Sequence, residues 1–201
     1  MRLTALLALC LAAGACGPAA VHRSTNPYAG LPLDVRPRPV GPGPAYRPEA
    51  ISTPVARRAT VDGMRCHRAP GRRFGIHLEL FAHRLVIHIP AGIGVAPPQH
   101  TRGVYVLTGA CYYPLRSLEP TGVFQITPGQ VRTLGNLFAI WGQQLGENRL
   151  LTFLGPVAGF LNGHRWHRPL AQIPLHRHAE IVLEVDGLLP PHPSYNFAPG
   201  L

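Results

Sequence analysis

Eleven histidines in a chain of 201 residues bring metal chemistry forward first, because neutral imidazole is the commonest metal ligand in proteins. The best-placed pair is His77 and His88. Phe74, Ile76, Leu78 and Leu80 alternate with Gly75, His77, Glu79 and Phe81, and Leu85, Ile87 and Ile89 alternate with Val86 and His88. Both runs have period two and read as strands. A turn centred on Ala82-His83 sets Ile76 against Ile89, Leu78 against Ile87 and Leu80 against Leu85, and it sets His77 directly across from His88. Directly opposed residues hold their Cβ atoms about 4.5–5.5 Å apart. His77 and His88, with Glu79 on the same face, thus form a candidate site for copper or zinc. The competing reading is that alternation simply turns these polar residues to the solvent side of an antiparallel sheet. His176 with His178, and His164 with His167, form two further close pairs.

Other side chains offer less. Ser117 is the one serine between residues 61 and 187, and it lacks the G-x-S-x-G setting of a nucleophile elbow. No H-E-x-x-H, P-loop or dinucleotide fingerprint occurs, and nothing places Glu79 and Glu119 at a catalytic separation. The expectation is a protein that is not an enzyme and needs no organic cofactor. Of four cysteines, Cys10 lies in the apolar leader and Cys16 follows it. Cys66 and Cys111 are left to form one disulfide in an oxidising compartment.

The leader fixes the address. Arg2, the apolar run Leu3 to Leu11 and the small residues Ala13-Gly14-Ala15 form a secretory signal peptide over residues 1–15. Its apolar run is shorter than the roughly 20 residues of a permanent membrane span. A cysteine straight after the small residues reads as a lipidation site, so Cys16 becomes an acylated anchor and the membrane is reached through an N-terminal lipid; simple cleavage and secretion is the alternative. The remaining 186 residues contain 18 arginines, no lysine and nine acidic residues, a composition that a GC-rich genome produces by itself. The surplus of positive charge suits an anionic envelope component or a protein partner. The arginines are scattered, without the basic stripe or aromatic platform of a nucleic-acid module, so nucleic acid is not expected as a partner. Trp141, Trp166, Tyr112 and Tyr113 could serve binding to envelope glycans or a protein partner, although aromatics of this kind are more often core residues.

Residues 16–60 read as a tether: nine prolines fall between Pro18 and Pro54, with no apolar periodicity. Residues 61–187 form one domain and 188–201 an irregular, proline-rich tail. Within the domain, Val104–Leu107 and Val123–Thr127 are expected strands. Thr133 caps a helix carrying Leu134, Leu137, Phe138, Trp141 and Leu145, with Gly146 as its stop. Val157–Leu161 enters an Asn162-Gly163 turn, and Ile181, Leu183 and Val185 form the inward face of a last strand. The fold class is α+β: a mixed, mostly antiparallel sheet with one short helix in a β-grasp-like arrangement.

The order of motifs also resembles a family of exported bacterial proteins of unassigned function. That family reads H-x-H-x-x-x-F, I-P-x-G-I-G-I, C-x-x-x-L-H-T-H-D-x-x-G-x-I-H, L-G-Q-F-F-D-x-W-G-Q-P-L, an N-G turn and I-P-L-x-x-H-x-x-I. The matching residues run from Cys66 to Val185. They include Ile89-Pro90-Ala91-Gly92-Ile93-Gly94-Val95, the stretch Leu134 to Leu145, and Ile173-Pro174-Leu175 with His178 and Ile181. The resemblance implies a metal site built from the family's histidines. Here Gly75-Ile76-His77 keeps only the second of the first pair, Leu115-Arg116-Ser117-Leu118-Glu119 keeps neither histidine of its motif, and Phe124-Gln125 replaces the last. The resemblance therefore supports the fold and speaks against the family's metal chemistry in this chain.

Overall fold

The computed structural model describes residues 60–201. The signal segment, Cys16 and the proline-rich stretch to residue 59 lie outside the described residues. The main sheet has seven strands: β1 (Phe74–Ala82), β2 (Leu85–Val86), β3 (Leu115–Arg116), β4 (Val123–Ile126), β5 (Val157–Leu161), β6 (His164–Arg165) and β7 (Glu180–Val185). They are ordered β6-β5-β7-β1-β4-β3, with the short β2 also paired to β1. The first and last strands, β1 and β7, are parallel neighbours at the centre, and the other pairings are antiparallel. With one α-helix among the described residues, α1 (Leu134–Trp141), this is a mixed sheet of the α+β class.

One face of the sheet carries the core. Ile76, Leu78, Leu80, Phe124, Ile126, Ile181, Leu183 and Val185 are buried against Leu134, Leu137, Phe138, Ile140 and Trp141 of α1. The expected inward face of the last strand is as observed, and so are the bounds of Val157–Leu161. Asn162 and Gly163 both have positive φ, 51° and 79°, as a two-residue hairpin turn requires. The helix stops one turn earlier than expected. Gly142, not Gly146, adopts the left-handed conformation at φ 71°, and Gln143 N–H closes the last turn on Phe138 O. Leu145 belongs to a small three-stranded sheet instead. Trp141 and Tyr113 are core residues. The strand expected at Val104–Leu107 runs over Tyr105–Thr108 and pairs with His100–Arg102 away from the main sheet.

Cys66 and Cys111 are joined by a disulfide between positions 45 apart in sequence. Closing a loop of that length in the unfolded chain stabilises the fold by about 4 kcal/mol in the chain-entropy picture. Beside it, Val95–Ala96 pairs with Cys111–Tyr112, and His67 and Tyr112 exchange backbone hydrogen bonds of 2.8 Å.

The register of the first hairpin differs from the expected one. Phe81 pairs with Val86 and Ala82 with Leu85, because His83 and Arg84 form the turn, both at positive φ (50° and 66°). The shift moves each residue two places along its partner. A period-two pattern fixes which face a residue occupies, but a shift of two leaves every face unchanged. His77 is therefore not across from His88. Its cross-strand neighbours are Val123 on β4 and Glu180 on β7.

Candidate functional site

The second face of the sheet is not the solvent side. From β1 it carries Gly75, His77, Glu79 and Phe81, and from β7 it carries Glu180, Val182 and Glu184. His77, Glu180 and Glu184 are buried to 5%, 1% and 1% exposure. Residues 188–201 supply part of the cover. Their backbone is irregular, as expected, but it runs antiparallel to β1 and is tied down along its length. Leu189 N–H donates to Glu184, His192 Nδ1 meets Glu79, Tyr195 stacks on His77 at 3.9 Å, and Phe197 lies against Gly75. At the far end the Leu201 carbonyl accepts from His178 Nε2 at 2.7 Å and from Arg177 at 3.1 Å.

His77 is held on three sides. The parallel register places it beside Glu180, whose two carboxylate oxygens lie 2.9 and 3.0 Å from its Nδ1. Its Nε2 lies 2.9 Å from the carbonyl of Thr121, in the loop between β3 and β4. A carbonyl only accepts, so Nε2 carries a hydrogen and Nδ1 is the nitrogen turned to the carboxylates. Gly122 makes this approach possible: at φ 81° a Cβ there would strike the carbonyl of Leu78 and come within 3.2 Å of His77 Nε2. Tyr195 closes the third side.

Glu79, one turn of the pleat further on, accepts from His192 Nδ1 at 2.8 and 3.0 Å. His77, Glu79 and Glu180 each offer a ligand atom within 4.8 Å of the others. His77 and Glu79 line a cavity of about 520 Å³ whose wall also includes His88, Thr121, His192 and Tyr195; Glu180 is not part of that wall. His88 thus shares the cavity with His77 and Glu79, as their common face requires. The residue that completes the compact group is Glu180.

Burial pushes the Glu180 carboxyl above the usual carboxylate range, and the charge of Glu79 pushes the same way; the hydrogen bond and positive charge of His77 pull it back. Burial likewise raises Glu184 and Glu119. Tyr195 is raised by burial and by the carboxylates of Glu119, Glu180 and Glu79 around it.

The other candidates have structural places. Ser117 is fully buried; its hydroxyl donates to Pro90 O and accepts from Ile93 N–H. It staples the Ile89-to-Val95 motif to the chain after β3. The two other histidine pairs, His164 with His167 and His176 with His178, are exposed. Gly75 pairs with Gln125 and Gln125 with Arg116. The buried Arg116 donates to Gln125 Oε1 at 3.1 Å there, so that row presents a cation and an amide.

Glu180, His192 and Tyr195 are the site residues that sequence reasoning missed. Glu180 and Glu184 do alternate with Ile181, Leu183 and Val185, which assigns them to the non-core face. Only the parallel pairing of first and last strands brings that face beside His77. His192 and Tyr195 sit among prolines with no periodicity to read. Among the described residues no helix is long and apolar enough to cross a membrane. Compared with protein-family models, with curated proteins and with solved structures, the chain finds no match.

Proposed function

We propose that this chain is an exported, lipid-anchored, non-catalytic protein of the cell envelope whose domain binds a small polar ligand or a partner group in the cavity beneath the C-terminal segment. The observation that carries this reading is that the buried His77 and the half-buried Glu79 line one cavity, with the buried Glu180 held against His77. A folded chain gains nothing in packing from polar groups that hydrophobic residues could replace, whereas a concave site with a few convergent polar groups is what ligand recognition uses. The non-catalytic reading rests on His77 and Ser117, whose polar atoms are engaged by fixed protein groups. A β-grasp-like fold is supported by the order β6-β5-β7-β1-β4, by the parallel central pair of first and last strands, and by the helix between β4 and β5. Export is supported by the leader and the disulfide, since such bonds persist in oxidising compartments.

A second reading, copper or zinc held by His77, His88 and Glu79, is favoured by the three side chains sharing one cavity. Mass spectrometry tests the main reading in two steps. The mature N-terminus, taken from a membrane fraction, should carry a diacylglyceryl mass on Cys16; an unmodified N-terminus would refute the anchor. Native mass spectrometry of untagged protein purified from the envelope should then show a small adduct that is absent from a cavity-filling His88→Trp variant. A bare chain mass for the wild type would overturn ligand binding.

A further inference from the structure

We infer that Nδ1 of His77 and the carboxylates of Glu79 and Glu180 form a three-ligand site for a divalent first-row transition ion, with Zn²⁺ as the reference case. This rests on the cavity being the binding site, and it replaces His88 with Glu180 in the ligand set. The first step is the tautomer. Nε2–H is committed to the Thr121 carbonyl at 2.9 Å, so in the neutral ring the lone pair lies on Nδ1, 2.9–3.0 Å from both oxygens of Glu180. A lone pair facing a carboxylate needs a positive centre between them. A proton suffices for that one pair, but Glu79 brings a second carboxylate into the same group. Two carboxylates and one imidazole nitrogen around a point match the charge of a divalent ion and supply the nitrogen and oxygen donors that it takes.

The surroundings fit as well. A ligating histidine ordinarily donates its other N–H to a carbonyl or carboxylate, and ligating carboxylates are themselves hydrogen-bonded. Thr121 O does this for His77, and His192 does it for Glu79 at 2.8 Å. His192 is therefore a positioning residue supplied by the C-terminal segment. Metal–ligand bonds of about 2.0–2.2 Å put tetrahedral ligand atoms about 3.4 Å apart, so the present contacts reach that spacing by small side-chain rotations. One nitrogen and two oxygens favour Zn²⁺ over Mg²⁺, which keeps an octahedral shell of water and oxygen. His77 and Glu79 line the cavity of about 520 Å³, so water or a donor atom of a ligand bound there would complete the coordination.

The test is a Zn²⁺ titration of the untagged, chelator-stripped full mature chain at pH 7, with X-ray absorption on the loaded protein. One ion per chain should bind with a Kd near or below about 1 μM, in a shell of nitrogen and oxygen at about 2.0–2.1 Å without sulfur. Glu180→Gln and His192→Ala should each weaken binding by about 10–100-fold, and His88→Ala should leave it within about threefold. Circular dichroism of each variant separates lost binding from lost folding, and the X-ray absorption shell of the wild type needs no variant. Wild-type binding weaker than about 100 μM overturns the metal site, and the small-ligand reading then stands or falls on its own native-mass adduct. Loss of binding in folded His88→Ala but not in folded Glu180→Gln overturns this ligand set in favour of His77, His88 and Glu79.

Discussion

Glu184 shares its strand face with Glu180 but has no histidine beside it. One of its oxygens accepts from Leu189 N–H at 3.2 Å, and the other is buried without a hydrogen-bond partner. Burial raises its carboxyl and Glu79 raises it further, while the hydrogen bond from Leu189 and the charge of Arg165 oppose the shift. A carboxyl raised in the folded state binds its proton more tightly there than in the unfolded chain. Its contribution to stability is complete below the ordinary carboxylate range and is lost as pH rises through the raised value. Glu184→Gln removes that loss. Thermal melts between pH 4 and pH 8 should show a shallower decline toward high pH in Glu184→Gln than in the wild type. Parallel curves would mean that Glu184 is ionised in the folded state at no cost.

At the scale of elements, the Ile89-to-Val95 loop shows how a sequence motif becomes a scaffold. Gly92 N–H donates to Ser117 O, Ser117 N–H to Ile93 O and Tyr113 N–H to Gly94 O, so the loop is laced along the chain at β3. Gly94 has φ 71°, and a Cβ there would collide with the Leu115 carbonyl. Both the conformation and the approach demand glycine. Gly94→Ala should cost about 2 kcal/mol or more in a urea melt, with Gly129→Ala as the comparison, since Gly129 has φ 81° but open space around it. A similar loss in both would show that the left-handed backbone alone, not the approach to β3, sets the cost. In the sequence the Ile89-to-Val95 stretch stood out only through the family resemblance, and its partner, the Leu115–Ser117 stretch, was not legible at all. The hairpin teaches a related lesson. Alternation sorted the residues onto two faces, though the polar face is buried rather than solvent-facing, while the left-handed pair His83 and Arg84 chose the register.

At the scale of the whole molecule, the domain has three layers: α1, the sheet, and the C-terminal segment that helps to cover the second face. Gly75 is where the segment presses closest, because a Cβ there would come within 2.6 Å of Phe197 and 3.1 Å of Leu201. Valine suits a strand, so Gly75→Val should displace the segment and leave the sheet intact. Hydrogen exchange should quicken over residues 195–201 while β7 stays protected. Unchanged protection of the segment would show that Phe197 and Leu201 adapt in place.

Composition and periodicity by themselves determined the disulfide partners, the helix with its core face, and the identity of the last strand's inward residues. These depend on local chemistry: two cysteines left within the domain, and apolar spacings of two and of three to four. The tertiary structure alone decided that β1 and β7 run side by side, and that the face carrying His77 is buried. Parallel strands meet through long connections, and the 97 residues between Ala82 and Glu180 hold no periodic signal of which strand will lie beside which. The proline-rich tail is the same case. Its residues find partners only once the sheet exists to receive them, so Tyr195 over His77 and His192 against Glu79 follow from assembly and not from any pattern in the chain.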